Sequence, residues 1–208
     1  MPIYKTIHPN SQTTVKIWKI TESLEDLRDP LDLKPESLSR VTNMKSELHQ
    51  RGFLSVRHLL RAFGYTDQDL FYDANGKPHL KDGKHISITH SFEFSAVIVS
   101  NKPVGIDIEK QREKITVIAR KFVDYEFKYL KSTAPEYVRQ LTVIWCIKES
   151  LYKLFAKKGM LFKVHFFVIP FMLEDKDTVA WIDYKDKKYR HLLGFLEFEG
   201  CTCAYSIP

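Results

Sequence analysis

The sequence has few cysteines and no long hydrophobic run. Cys146, Cys201 and Cys203 are its three cysteines, and they form neither an even set for disulfides nor a Cys-x-x-Cys metal pair. Such residues are expected to be reduced thiols in a reducing compartment. No segment approaches the roughly 18 to 20 apolar residues of a membrane span, and the first residues lack the apolar core of a secretory signal. We therefore expect a cytoplasmic protein without a membrane partner.

Positive charge is concentrated in one part of the chain. The net charge is +6, whereas residues 110–158 alone hold 12 Lys or Arg against 5 Asp or Glu, a difference of +7. Such a region indicates an anionic partner, which can be nucleic acid, a phosphorylated cofactor or an acidic protein. A solvated face is the alternative interpretation, and charge alone does not separate the two.

Hydrophobic periodicity predicts a mixed α+β fold. Two helices are expected over residues 35–63, divided at Gly52, and one over residues 116–131. A capping box at Thr133 and Glu136 predicts the start of a long helix that ends near residue 157. Alternating or apolar runs predict strands over residues 15–20, 85–89, 94–99, 104–108, 164–172, 178–184 and 192–207.

This element order favours two similar α/β halves, residues 1–100 and 101–208. The sequence contains no low-complexity segment and no glycine- or serine-rich linker. With 44% hydrophobic residues, the chain can bury a substantial core. The two halves are therefore expected to pack directly on each other.

The segment Gly105-Ile106-Asp107-Ile108-Glu109 is the most informative one. Strand geometry sends Asp107 and Glu109 to one face, with Cα atoms about 7 Å apart. Like charges at that spacing are unfavourable unless a cation lies between them, and oxygen ligands favour Mg²⁺ or Mn²⁺ over zinc. A solvent-facing strand is the alternative, and it is the commoner origin of an isolated Asp-x-Glu.

Three further segments contain polar residues that suggest chemistry. Trp145-Cys146-Ile147-Lys148-Glu149-Ser150-Leu151-Tyr152-Lys153 lies in the long helix, where Glu149 and Lys153 share a face at i,i+4 spacing. Ser87-Ile88-Thr89-His90-Ser91 ends a strand, and Gly76-Lys77-Pro78 forms a turn. Taken singly, these are an ordinary helix ion pair, a structural histidine and a solvated turn lysine.

Taken together and in this order, the segments resemble the phosphopantetheinyl transferase superfamily. The motifs are G-K-P, S-x-T-H-S, G-I-D-I-E and W-x-x-K-E-S-x-x-K followed by Lys158-Gly159, and they span residues 76–159. The resemblance is to the longer, pseudo-twofold type of enzyme that activates surfactin synthetase. It implies two α/β halves related by a pseudo-twofold, with the cofactor in the cleft between them, and a monomer.

The resemblance also implies an activity. Enzymes of this superfamily transfer the 4′-phosphopantetheine group of coenzyme A to a serine of an acyl or peptidyl carrier protein, with Mg²⁺, and Mn²⁺ is an alternative. The implied metal ligands are Asp107, Glu109 and Glu149. Glu149 is also the implied general base, directly or through a water, and Lys153 is implied to bind the pyrophosphate and offset its charge.

The cofactor-binding residues implied by the resemblance are His90, Lys77, Pro78, Lys148, Lys153, Arg57 and Arg51. His90 fits a phosphate, and Lys77 with its turn fits the adenine and 3′-phosphate end. Arg57 and Arg51 lie where the resemblance is loose, and a surface location is the alternative for both. The basic region would steer an acidic carrier protein toward the site.

Two other functions compete with this interpretation. A Mg²⁺-dependent nuclease would explain acidic strand residues in a basic chain, but such a site usually needs Glu-x-Lys on the metal strand, and here Lys110 follows Glu109 directly. A noncatalytic nucleic-acid-binding module would instead require exposed aromatic residues between the basic ones. The transferase interpretation predicts no nucleic-acid partner.

Overall fold

The structure is a computed structural model that describes residues 3–208. It contains two compact units, the first ending at Pro103 and the second comprising Val104–Pro208. Each unit combines a β-sheet with helices, so the expected α+β class is confirmed. In the part of the chain described, no helix is both long and apolar enough to cross a bilayer.

The first unit is built on a four-stranded antiparallel sheet in the order β1-β2-β6-β5. Its helix α3 packs against this sheet, because Leu54, Leu59 and Leu60 are fully buried in one cluster with sheet residues such as Val97. The elements are β1 (Ile3–Asn10), β2 (Thr13–Lys19), α1 (Leu24–Arg28), α2 (Pro35–Thr42), α3 (Glu47–Ala62), β3 (Leu70–Tyr72), β4 (Pro78–Leu80), β5 (His85–Ser91) and β6 (Phe94–Ser100).

The second unit is built on a five-stranded antiparallel sheet in the order β7-β11-β10-β9-β8. Helix α5 lies across one face of this sheet, and its fully buried residues, among them Ile144, Ile147 and Leu151, form the centre of the core. The elements are β7 (Ile106–Lys110), α4 (Lys114–Phe122), α5 (Tyr137–Phe155), α6 (Phe162–His165), β8 (Phe166–Val168), β9 (Asp177–Tyr184), β10 (Lys187–Phe198) and β11 (Cys201–Ile207).

Three sequence-based boundaries are wrong. The break between α2 and α3 falls at residues 43–46, and Gly52 lies inside α3. Its role is steric, because a Cβ at Gly52 would lie 2.9 Å from Nδ1 of His90. The expected capping box at Thr133 is absent, since α5 begins after Glu136 without a side-chain cap. The helix expected over residues 116–131 ends at Phe122 and is followed by a short 3₁₀ turn, Tyr125–Lys128.

The buried imidazole of His58 makes the stability of the first unit sensitive to acid. It is 4% exposed, its Nε2 lies 2.8 Å from the carbonyl oxygen of Leu27, and its ring stacks on Trp18. Burial lowers the pKa of His58, although the bond to Leu27 opposes this. Because the folded pKa lies below the unfolded value of about 6.5, the unfolded state binds protons first, and stability falls as the pH drops below about 6.5.

We therefore expect His58→Gln, which keeps a donor for Leu27, to lose less stability than the wild type between pH 7.5 and pH 5.5. Urea unfolding at a series of pH values measures the difference. Equal pH slopes for the two proteins would show that His58 does not titrate differently in the folded and unfolded states.

Candidate active site

Helix α5 approaches strand β7 unusually closely at Gly105. A Cβ at this glycine would lie 1.8 Å from the carbonyl oxygen of Ser150. The Ser150 hydroxyl lies 2.7 Å from the carbonyl oxygen of Cys146 and 2.8 Å from that of Ala204 on β11. The middle of α5 is therefore held directly against the edge of the sheet that carries Asp107 and Glu109.

The three carboxylates expected from the sequence belong to one electrostatic cluster. Asp107 is 5% exposed on β7, and Glu109 and Glu149 are half-buried. Burial raises the pKa of Glu149 to about 7, and the charges of Asp107 and Glu109 add to the rise, while Lys153 opposes it. The charges of both strand carboxylates therefore act on Glu149, which lies on the helix that packs against β7.

Lys153 completes the cluster from the same helix, one turn after Glu149. Its ammonium donates to Oδ1 of Asp107 at 2.8 Å and to the carbonyl oxygen of Ile106 at 3.0 Å. The side chain is 30% exposed, so it bridges the buried Asp107 and solvent. The ammonium of Lys153 therefore places positive charge directly beside Asp107.

A cavity of about 160 Å³ lies beside Glu109. Its wall combines cationic groups from the segment that runs from the end of β7 to the start of α4 with apolar surface from α4 and α5. The lining residues are Glu109, Lys110, Arg112, Lys114, Ile115, Ile118 and Trp145. The acidic cluster therefore borders a basic and partly apolar recess.

The side chains at the cluster offer only oxygen donors to a metal ion. Within residues 3–208, no three His, Cys, Asp or Glu side chains already stand in the geometry of a bound metal. In this structure the cation that faces Asp107 is the ammonium of Lys153.

Lys148 does not fit the cofactor-binding role expected from the sequence. Its ammonium is fully buried and has three acceptors: Oε1 of Glu126 at 2.8 Å and the carbonyl oxygens of Phe122 at 2.7 Å and Phe162 at 3.2 Å. Because an ammonium has three donors, none remains for a ligand. In this structure the Lys148 ammonium therefore serves contacts within the second unit.

Sequence reasoning missed Glu126, the partner of Lys148. It is 0% exposed, and its Oε1 also accepts a hydrogen bond from the backbone N–H of Val168 at 2.9 Å. The signal was available, because Lys148 falls on the apolar face of α5 with Ile144 and Leu151. A buried ammonium needs a buried carboxylate nearby.

Arg57 also makes contacts within its own unit. It is 3% exposed, its Nε donates to Oδ1 of Asp67 at 3.0 Å, and its Nη2 lies 3.3 Å from the hydroxyl of Ser37. These contacts account for its charge inside the first unit. The guanidinium joins α3 to α2 and the turn before β3, and a ligand-binding role for Arg57 stays a prediction.

Arg51 and His90 lie near each other in the first unit. The ring of His90 packs over Gly52, the neighbour of Arg51, and faces the ring of His49 at 6.3 Å. One guanidinium nitrogen of Arg51 donates to the carbonyl oxygen of Ile20 at 3.3 Å, whereas its buried Nε has no hydrogen-bond partner among the described residues. The guanidinium of Arg51 and the imidazole of His90 therefore lie near the same part of α3.

Lys77 and Pro78 occupy the turn that the sequence predicts. The Asp73 carboxylate accepts hydrogen bonds from the backbone N–H groups of Asn75 at 2.8 Å and Lys77 at 3.0 Å. Burial lowers the pKa of Lys77. Burial lowers the pKa of His85, and the charge of Lys77 adds to this shift. Lys77 therefore lies near the start of β5. His90 is five residues further along, roughly 17 Å away.

Comparison with known proteins shows which family the sequence matches. A sequence profile described as the 4′-phosphopantetheinyl transferase superfamily matches residues 103–204, a stretch that contains the acidic cluster and all of α5. The 4′-phosphopantetheinyl transferase gsp of Aneurinibacillus migulanus is 31% identical over 179 residues, which cover 82% of this chain and 73% of that protein.

Two further relatives match shorter stretches. The 4′-phosphopantetheinyl transferase of Bacillus subtilis is 34% identical over 89 residues, 41% of this chain and 39% of the relative. Enterobactin synthase component D of Salmonella typhi is 29% identical over 113 residues, 53% of this chain and 48% of the relative. For these two, the matched stretch spans less than half of the relative's length.

The matches place this chain among the transferases, enzymes that move a chemical group from one molecule to another. The chain belongs to the 4′-phosphopantetheinyl transferase superfamily, and the resemblance found from its motifs is confirmed.

Proposed function

We propose that this protein transfers the 4′-phosphopantetheine group from coenzyme A to a serine of an apo acyl or peptidyl carrier protein, releasing adenosine 3′,5′-bisphosphate in a Mg²⁺-dependent reaction. The observation that carries the proposal is the cluster of Asp107, Glu109, Glu149 and Lys153 inside the stretch matched by the superfamily profile. The proposal includes a monomeric protein in the cytoplasm.

The reaction transfers a substituted phosphoryl group from the leaving nucleotide to the serine oxygen. The serine oxygen forms a bond to the β-phosphorus of coenzyme A, and the bond from that phosphorus to the 5′-phosphate oxygen of the leaving nucleotide breaks. The serine loses its proton, and negative charge grows on the leaving phosphate. The site must therefore accept a proton and stabilise an anion.

The carboxylates of Asp107, Glu109 and Glu149 suit Mg²⁺, with Mn²⁺ as an alternative, because all their donors are hard oxygens and their mutual repulsion favours a cation. The ion, when bound, would neutralise charge on the pyrophosphate oxygens. Lys153 would supply a second positive charge at the same pyrophosphate, since its ammonium already reaches Asp107.

Glu149 is the proposed general base. Without a bound ion, burial and the charges of Asp107 and Glu109 raise its pKa to about 7. A cation among the three carboxylates would favour the ionised form, which is the form that accepts a proton. Its carboxylate would take the proton of the serine hydroxyl directly or through a water.

The first unit contributes candidate contacts for the rest of coenzyme A. We propose that His90 and Arg51 bind a phosphate, which the partnerless Nε of Arg51 supports. Lys77 and Pro78 would contact the adenine and 3′-phosphate end. Lys77 lies near one end of β5 and His90 near the other, so an extended ligand such as coenzyme A could place a different chemical group at each residue.

An acidic carrier protein is the proposed partner. The recess beside Glu109 is bordered by Lys110, Arg112 and Lys114 and has apolar walls from Ile115 and Ile118. Val117 on α4 is 80% exposed, which adds apolar surface next to these cations. Positive charge around an apolar patch would steer and dock an acidic helix beside the modified serine.

A thermal-shift comparison tests cofactor binding. A ligand at about 100 times its dissociation constant adds roughly 2.7 kcal/mol, or about 5–10 °C for a chain of this size. We expect coenzyme A to raise Tm by this amount with Mg²⁺ and by less with EDTA, and duplex DNA or RNA to have no comparable effect. A shift with nucleic acid and none with coenzyme A would favour a nuclease or a nucleic-acid-binding protein.

A further inference from the structure

The ion pair of Lys148 and Glu126 has no part in the reaction as proposed, yet both side chains are completely buried. Burial lowers the pKa of Lys148, while Glu126 opposes that shift. Removing two charges from water is unfavourable, and apolar residues of similar size often give equal or greater stability. Stability alone is therefore a weak explanation for a charged pair here.

The pair joins α5 to three other segments of the second unit. The Lys148 ammonium binds the carbonyl oxygen of Phe122 at the end of α4 and that of Phe162 at the start of α6. Glu126 accepts from the backbone N–H of Val168 on β8. One face of α5 is thus tied to α4, α6 and β8 at the residue that immediately precedes Glu149.

A second connection lies on the other side of Glu149. The Ser150 hydroxyl contacts the carbonyl oxygen of Ala204 on β11 at 2.8 Å, and the close approach to Gly105 is at the same residue. Consecutive residues of an α-helix point about 100° apart around its axis. Lys148 and Ser150 therefore flank the direction of Glu149, one on each side.

We propose that Lys148, through Glu126, and Ser150 are positioning residues that fix the rotation of α5 about its axis and so direct the Glu149 carboxylate toward Asp107 and Glu109. The inference rests on the proposed catalytic role of Glu149. A rotation of about 10° moves a group 5–6 Å from the axis by roughly 1 Å. A displacement of that size can reduce a rate by about 10²-fold.

The test is the neutral double variant Glu126→Gln/Lys148→Met. Each single change leaves a buried charge without its counter-charge and should lower Tm by about 10 °C, whereas the double variant should recover most of that loss. We expect kcat of the double variant to stay about 10-fold to 100-fold below the wild type, with KM for coenzyme A within about twofold. The matched control is Arg139→Gln/Glu197→Gln, which removes an ion pair at the first turns of α5 and should leave kcat unchanged.

Recovery of both Tm and kcat in the double variant would show that the pair is only structural and would overturn the proposal. A large rise in KM for coenzyme A with kcat unchanged would instead restore Lys148 as a cofactor ligand. Ser150→Ala independently tests the contact between α5 and β11. We expect kcat to fall about 10-fold in this variant at constant KM. A wild-type protein without transferase activity would refute the proposed function itself, which is a separate outcome.

Discussion

Replacing Glu149 by glutamine is expected to lower kcat for phosphopantetheine transfer by about 10³-fold. The change removes the carboxylate that the account assigns both to the metal ion and to the serine proton. Stability should hold or rise, because burial and the charges of Asp107 and Glu109 disfavour the ionised form of Glu149. Initial rates with saturating coenzyme A and carrier protein, together with Tm, measure both effects.

The control for this variant is Glu136→Gln, an exposed carboxylate at the other end of the same helix. It should retain the wild-type rate. A Glu149→Gln protein that transfers at the normal rate would remove Glu149 from the mechanism, even if the protein proved to be a transferase.

Replacing Gly105 by alanine is expected to have the largest effect on folding. The added Cβ would lie 1.8 Å from the backbone oxygen of Ser150, and neither β7 nor α5 can give way without losing contacts in the core. We expect a loss of about 3–5 kcal/mol or failure of the second unit to fold. Urea unfolding followed by circular dichroism measures the loss.

Gly83→Ala is the control that separates the cost of steric overlap from the cost of an unfavourable backbone conformation. Gly83 has a φ of +81° but no atom within 4 Å of its would-be Cβ, so alanine there should cost only about 1 kcal/mol. Similar losses for the two variants would show that the close approach of α5 to β7 does not hold in solution.

The faces on which the residues of the acidic cluster lie follow from the sequence, because strand and helix periodicities fix which face a residue occupies. The two-residue spacing of Asp107 and Glu109 places both on the side of β7 that faces α5, and the four-residue spacing of Glu149 and Lys153 places both on the side of α5 that faces β7. Local geometry is enough for such predictions, because each pair lies on one element.

The sequence predicts poorly what depends on contacts between distant segments. The sequence does not predict the buried ion pairs of Lys148 and Arg57, because their partners, Glu126 and Asp67, are set by tertiary packing and not by spacing in the chain. The sequence predicts a helix break at Gly52, whereas this glycine lies inside α3 and makes room for His90 on β5. Strand β1 was not predicted, since its burial does not alternate cleanly.

The central claim is tested most directly by intact-mass analysis of apo carrier proteins incubated with this protein, coenzyme A and Mg²⁺. The account predicts that at least one carrier gains the mass of one phosphopantetheine group, and that EDTA or replacement of the modified serine by alanine abolishes the gain. No gain on any carrier of a panel drawn from fatty-acid, polyketide and peptide synthesis, with no binding of coenzyme A, would contradict it.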